Sequence, residues 1–461
     1  MTLQHNDNHP FPPYPAYKDS GIEWAGEIPE NWHDIKIKNL ANGGDSFFND
    51  GDWIESKSIE NNGIRYLTTG NVGTGYYKEQ GQGYISENTF EELNCTAVYE
   101  GDLIISRLNP PIGRCCFVPP LGKKVVVAVD IVILRPDDNF DKRFLLYLFS
   151  APGYFENTSL LARGATMQRL SRGLLGNIKI PIPRTVKEQT TIAHFLDHKT
   201  TQIDAAIDKH RQLIELLREH RAALINEAVT KGLNPNAPMK DSGVEWIGEV
   251  PAHWEIKKLK YSAKINPQKG NSKITKEDID LVSFLPMEKV SESGHVNYDL
   301  KKPINEVYSG FTYFEVDDII VAKITPCFEN GKGALLDEMD TLIGFGSTEF
   351  HVIRPNKGVL KRFIFYLTRS DTFMKSGETF MTGSAGQKRV PTSFVENFSF
   401  GLPSIEEQQQ IVNFIETETT RIDREIDLAQ QEINLLEEYR QSLIAEAVTG
   451  KIDVRDYVLE D

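Results

Sequence analysis

Apolar residues recur every seven positions along two stretches of this chain, and the two stretches are copies of each other. In the first, one seam reads Leu196, Ile203, His210, Leu217, Leu224 and the other Thr200, Ile207, Ile214, Arg221, Ala228. In the second, the matching seams read Ile415, Ile422, Ala429, Leu436, Leu443 and Thr419, Ile426, Ile433, Arg440, Ala447. A heptad sustained this long, with polar residues between, predicts a coiled-coil helix. No Pro or Gly interrupts 188–230 or 406–449. Each helix would be roughly 65 Å long at ~1.5 Å per residue. The copies sit at a constant offset (Gln189 on Gln408, Asp204 on Asp423), so each helix is the simplest partner for the other. Arg221 and Arg440 fall at equivalent seam positions. A charge there either sets register or faces a partner; the bland reading is a stem packed on the seam with its head in water.

Other elements repeat too. YKDSGIEWAGEIPENW (17–32) recurs as MKDSGVEWIGEVPAHW (239–254), each with two tryptophans around a Gly-Glu-Xaa-Pro turn. Between head and helix lie two blocks, 33–184 and 255–403, alike only in landmarks. GDLIISRLNP (101–110) parallels DDIIVAKITP (317–326), ILRP (133–136) parallels VIRP (352–355), and GATMQRL (164–170) parallels GSAGQKRV (383–390). Runs such as VVVAVDIVIL (125–134) and TEFHVIRP (348–355) predict strands; residues near Phe144–Phe149 and Phe363–Leu367 predict short helices. Each block reads as an α+β domain with an antiparallel sheet. Ser404 and Glu407 have capping-box spacing at the second helix entrance, and Gly and Pro stop the first helix at its exit.

The expected organisation is therefore a disordered terminus (1–16), a first domain (17–184), a first spacer helix (185–233), a second domain (234–403), a second spacer helix (404–450) and a tail (451–461). The fold class is α+β: two α+β domains separated by two long helices packed as an antiparallel coiled coil, with a pseudo-twofold internal repeat.

The net charge of −15 argues at first against a nucleic-acid partner, but it is uneven. Residues 404–461 carry five basic and fifteen acidic residues, whereas 1–185 and 234–403 are close to neutral. Net charge bears on steering and solubility, not on fold. No apolar run reaches a membrane span, and the polar, Pro-rich start is no signal peptide. The four cysteines (Cys95, Cys115, Cys116, Cys327) lack zinc spacing and fit reduced thiols in a cytoplasmic protein. Asn109-Pro110-Pro111-Ile112 resembles an amino-methyltransferase motif but has Ile where an aromatic would stack on the base, and GNVGTG (70–75) lacks a dinucleotide fingerprint, so both read as turns. No nucleophile, base and orienter assemble, so no catalysis, metal or cofactor is expected of this chain.

Two divergent domains on a rigid spacer suit a target that is itself rigid and repeating, such as duplex DNA. The two heads, the Pro-then-Glu-Gln helix starts (Pro183 with Glu188-Gln189; Pro403 with Glu407-Gln408), the HFLDHKTTQID and NFIETETTRID runs and the paired EAVT ends resemble the specificity subunit of type I restriction–modification enzymes over about 17–450. That resemblance implies two target-recognition domains, each reading one half of a bipartite, asymmetric double-stranded DNA site. It implies a helical spacer that sets the gap, and two methyltransferase (M) subunits docked on it. Those partners would supply S-adenosylmethionine and adenine-N6 methylation, with restriction (R) subunits as an optional further partner and no membrane involved. The spacer seam residues are Leu196, Ile203, Ile207, Ile214, Leu217, Arg221, Ile415, Ile422, Ile426, Ile433, Leu436 and Arg440.

Phosphate contacts need Lys or Arg, and base edges favour Arg, Lys, Gln or Asn. The aligned loops offer Arg163, Gln168 and Arg169 in the first domain and Gln387, Lys388 and Arg389 in the second, with Arg107 and Lys323 after the aligned strands. Their bland reading is solvated surface charge. The competing functional readings are a non-catalytic bivalent protein-binding scaffold, an acidic DNA mimic, which the near-neutral domains disfavour, and a degenerate methyltransferase, which the missing Gly-rich loop disfavours.

Overall fold

The computed structural model describes residues 11–43, 46–122, 124–269, 280–384 and 386–458. Two helices dominate it, Val186–Lys231 with 46 residues and Ile405–Val448 with 44. Contacts divide the chain into two units: residues up to His210 with those from Gln431 onward, and Arg211–Gln430. Each unit thus takes one of the two blocks between head and helix and half of each long helix, so the division crosses the helices instead of falling at their ends.

In both units the helices run antiparallel. In the second, the end of one helix (Ile225, Ala228, Val229) shares a core with the start of the other (Ile411, Val412, Ile415). Leu196, Ile203 and Ile207 are buried on the first unit's seam together with Ile433, while Leu436 is half-buried. Ile214, Ile415 and Ile422 are buried on the second unit's seam, and Leu217 and Ile426 are half-buried. The seam arginines point across it. Arg221 Nε lies 3.1 Å from Asp423 Oδ1 in the second unit, and Arg440 Nε lies 3.0 Å from Asp204 Oδ1 in the first. The head of each arginine is thus held by a carboxylate of the facing helix.

The first unit carries a four-stranded antiparallel sheet in the order Phe47–Asp50, Ile131–Arg135, Leu103–Ser106, Cys115–Phe117. The second repeats it as Ala263–Ile265, Phe350–Pro355, Ile319–Ala322, Gly333–Leu335. A second sheet in each unit contains one parallel pair, Ile64–Leu67 on Val125–Val127 and Leu281–Leu285 on Ile343–Gly346, so the blocks are not purely antiparallel. The run 125–134 is likewise two strands in different sheets, separated by a turn at Val129–Asp130. A nearly continuous apolar run hides such a corner, because the strands on both sides of it are buried and only the half-buried Ala128–Asp130 mark the turn.

The expected short helices form as Lys142–Leu148 and Lys361–Thr368, each against its unit's core. Buried Gln189 and Gln408 tie them to the long helices. Gln189 Oε1 accepts from Asp141 N (2.8 Å) and its Nε2 donates to Pro183 O (3.0 Å); Gln408 repeats this with Leu360 N (2.8 Å) and Pro403 O (3.0 Å). Ser404 Oγ caps Glu407 N, and Thr185 Oγ1 caps Glu188 N one repeat earlier. The acid of the capping-box pattern is used elsewhere: Glu188 accepts from Trp32 Nε1 (2.9 Å) and Tyr14 Oη (3.0 Å). Burial and the Glu188 carboxylate raise the Tyr14 phenol far above its ordinary value, so it stays a neutral donor.

Residues 11–16 depart from the expected disorder. Tyr14 is buried, and Pro12 O accepts from Asp453 N at 2.7 Å. The cause is long-range: the tail after the second helix returns to the first head, with Ile452 and Val454 buried there. The remainder of that expected disordered segment, residues 1–10, lies outside the described residues.

Candidate nucleic-acid interface

In each unit the strand beginning Leu103 or Ile319 ends beside a short hairpin. Arg163 and Arg169 exchange backbone hydrogen bonds (3.0 and 2.8 Å), and Thr382 and Arg389 do the same in the second unit (3.0 and 2.8 Å). The strand end fixes each hairpin: Asn109 N donates to Gln168 O and Thr325 N to Lys388 O, both at 3.0 Å. Arg169 pairs with Asp130 (2.7 Å) and Arg389 with Glu349 through two nitrogens (2.8 and 2.9 Å), at equivalent positions of the repeat. The hydrogen bonds from Arg389 hold the Glu349 carboxyl below its usual range. Arg169 and Arg389 therefore anchor their hairpins. Gln168, Gln387 and Lys388 are left exposed on the returning arms, one or two residues before the anchoring arginine, and Arg163 is exposed at the base.

Arg107 requires a correction. Expected beside DNA, it is only 3% exposed; it donates to Leu170 O (3.0 Å) and Val129 O (2.6 Å) and pairs with Asp50 (2.9 Å). Burial lowers its pKa from the ordinary arginine value. A guanidinium committed to two carbonyls and a carboxylate supports the hairpin from below and has little left for a phosphate. Its repeat counterpart Lys323 is half-buried at the edge of a cleft, and its charge reaches the Glu349 carboxylate.

Arg107, Arg163 and Arg169 line one open cleft, and Lys323 lines another. The first, about 620 Å³, is bordered by Asp50, Arg107, Arg163, Arg169, Ser171 and Arg172. The second, about 550 Å³, is bordered by Asn266, Gln268, Lys269, Tyr313, Lys323 and Phe350. Arg172 was missed in the sequence; it bonds Asn49 Oδ1 (3.1 Å) and sits 3.5 Å from Asp50. Lys269 was missed as well; it lies over the Tyr308 ring at 4.2 Å, and burial lowers its pKa. Neither position aligns across the repeat, so only the fold could bring it to the cleft. The aligned strands did hold one readable signal, a bidentate pair inside each sheet: Arg135 with Asp102 (2.9 and 2.5 Å) and Arg354 with Asp318 (2.7 and 2.7 Å). Among the described residues no His, Cys, Asp and Glu cluster could hold a metal ion, and no helix is long and apolar enough to cross a membrane.

Comparison with known proteins bears on the same two blocks. The domain described as the type I restriction modification DNA specificity domain matches residues 29–217 and again 251–438. The type I restriction enzyme EcoAI specificity subunit of Escherichia coli is 38% identical over 204 residues, 44% of this chain and 33% of that protein. The EcoEI specificity subunit of Escherichia coli is 34% identical over 233 residues, 50% of this chain and 38% of that protein. The chain thus aligns with little more than a third of the length of these two relatives. A putative MjaX specificity subunit of Methanocaldococcus jannaschii is 22% identical over 458 residues, 95% of this chain and 98% of that one. Two solved structures share the fold. A chain from a study of the assembly and conformational transition of the type I R-M system superposes with a TM-score of 0.61 at 12% identity, covering 91% of this chain and 98% of that one. The HsdS subunit from Thermoanaerobacter tengcongensis gives 0.53 at 13% identity, covering 92% and 98%.

Proposed function

The chain belongs to the type I restriction modification DNA specificity family, and from that premise we propose that it chooses the DNA sequence on which a methyltransferase complex acts. Each recognition domain reads one half of a bipartite, asymmetric site. The antiparallel helices set the gap between the halves, with half-sites about one helical turn (~34 Å) apart. Two methyltransferase subunits dock on the helices and domains and bring S-adenosylmethionine; restriction subunits are an optional addition. The chain itself is non-catalytic and works in the cytoplasm.

The observation that carries this reading is the paired hairpin. Each domain presents one at the same place, fastened by an arginine–carboxylate pair (Arg169 with Asp130, Arg389 with Glu349), and each domain has a cleft with basic side chains in its lining, arginines in the first and Lys269 and Lys323 in the second. The fastening repeats, but the exposed residues just before the arginine differ: Met167-Gln168 in one and Gln387-Lys388 in the other. That is the pattern expected of one scaffold reading two different half-sites, since phosphate contacts position and side chains at base edges specify.

Single-molecule methylation sequencing of cells carrying the neighbouring methyltransferase subunit, with and without this chain, tests the proposal. The expected result is a split N6-methyladenine motif present only with the chain. Co-purification of the subunits, no salt-dependent DNA binding and no motif would favour the scaffold reading instead.

A further inference from the structure

The two units cover one repeated phenylalanine differently. In the first, Phe195 is fully buried under two rings, Phe11 edge-on at 4.9 Å and Tyr457 edge-on at 4.8 Å. Tyr457 Oη is further held by His198 Nδ1 at 2.7 Å, and Lys199 Nζ sits 5.5 Å from the centre of its ring. Phe11 lies on the segment entering the first head; Tyr457 lies on the segment leaving the second long helix. Two separate pieces of chain therefore close over Phe195.

Phe414 is the repeat counterpart of Phe195. Around it a single linker, Gly232 to Pro238, both leaves the first long helix and enters the second head. With the heads aligned (Met239 on Tyr17), Leu233 stands where Phe11 stands, and the helix offset puts Pro238, with no aromatic ring, where Tyr457 stands. One segment cannot fill the room of two. Phe414 is 39% exposed, as is Leu233, and both line a groove of about 840 Å³ with Leu224, Met239 and Ile247.

We infer that this groove is a socket for one aromatic side chain carried on an extended segment of the methyltransferase partner. The occupied copy supplies the template: a Tyr or Phe meeting the helix phenylalanine edge-on, an arrangement that favours aromatic pairs. The groove's polar rim mixes Glu227 and Glu249 with His220 and Lys231, so the segment carries polar residues beside its ring. Because the first copy is closed by the chain's own ends, only one of the two methyltransferase subunits makes this contact. The inference rests on the proposal above that such subunits dock here.

The test uses the full chain co-expressed with its methyltransferase subunit. With photoreactive benzoylphenylalanine at position 414, the expected cross-link joins one aromatic-bearing segment of that subunit, mapped by mass spectrometry. Native mass spectrometry of Phe414→Ala should show the second methyltransferase copy bound at least about tenfold more weakly with an unchanged melting curve. Leu428→Ala, an exposed position on the same helix, should keep both copies bound. Cross-links only to this chain or to a second copy of it, or a Phe414→Ala complex with two tightly bound copies, would overturn the socket. Absence of any methylation motif with the unaltered chain would instead sink the specificity reading itself.

Discussion

Arg221 Nε lies 3.1 Å from Asp423 Oδ1 across two antiparallel helices, and the repeat exchanges this pair for Arg440 and Asp204 at 3.0 Å. Leucine and isoleucine seams tolerate sliding by a heptad; a guanidinium that must meet one carboxylate does not. The two pairs therefore hold the helices in one register, which is the property a spacer needs.

Arg221→Ala should destabilise the second unit, and the charge reversal Arg221→Asp with Asp423→Arg should recover part of the loss. With Asp423 half-exposed, a double-mutant cycle should report a coupling of about 0.5–1 kcal/mol. Zero coupling in urea unfolding at low salt would remove the register role.

Gln189 and Gln408 should matter more than any exposed pair. Each is almost wholly buried and bonds one backbone N–H and at least one carbonyl of its own domain. Replacing either by Ala leaves those groups buried and unpaired, at a cost of roughly 1–3 kcal/mol. Because the two clamps lie in different units, the double substitution should be additive. Denaturant titration of the single and double variants checks both points.

The corrected role of Arg107 separates two kinds of loss. Arg163→Ala should weaken DNA binding similarly across sequences and lower the salt slope by about 1. Gln387→Ala should cost roughly 1–3 kcal/mol and relax the methylated motif at a single base. Arg107→Ala should instead lower the melting temperature, because it removes the closer of two arginine partners of Asp50 and the donor to two carbonyls beneath the hairpin. Fluorescence anisotropy at several salt concentrations, beside thermal melts, distinguishes the three outcomes.

Acid should loosen the second hairpin. The Glu349 carboxyl is held below its ordinary value of 4.5, chiefly by hydrogen bonds from Arg389. A group whose folded pKa is depressed adds stability that is complete above the unfolded value and is lost as pH falls through it toward the folded one. DNA affinity and hydrogen-exchange protection around Thr382 and Arg389 should therefore fall below about pH 4.5. Glu349→Gln should flatten that dependence, and an unchanged acid profile in that variant would show that other carboxylates carry it.

The sequence by itself determined the repeat, the two long helices and their seams, the paired heads and the position of the hairpins. These are periodic or self-similar features, and a seven-residue period or a self-alignment can be read without knowing what any residue touches. The tertiary structure alone decided which cation is free. Arg107 and Arg163 are equally basic in the sequence, yet one is buried against carbonyls and the other faces solvent. It also decided that 125–134 turns between two sheets, that Phe11–Ala16 packs on the returning tail, and that Phe195 is covered while Phe414 is not. Burial of a polar or aromatic group depends on which distant segment arrives over it. Local pattern fixes the face a residue occupies, and only the closed chain fixes what covers that face.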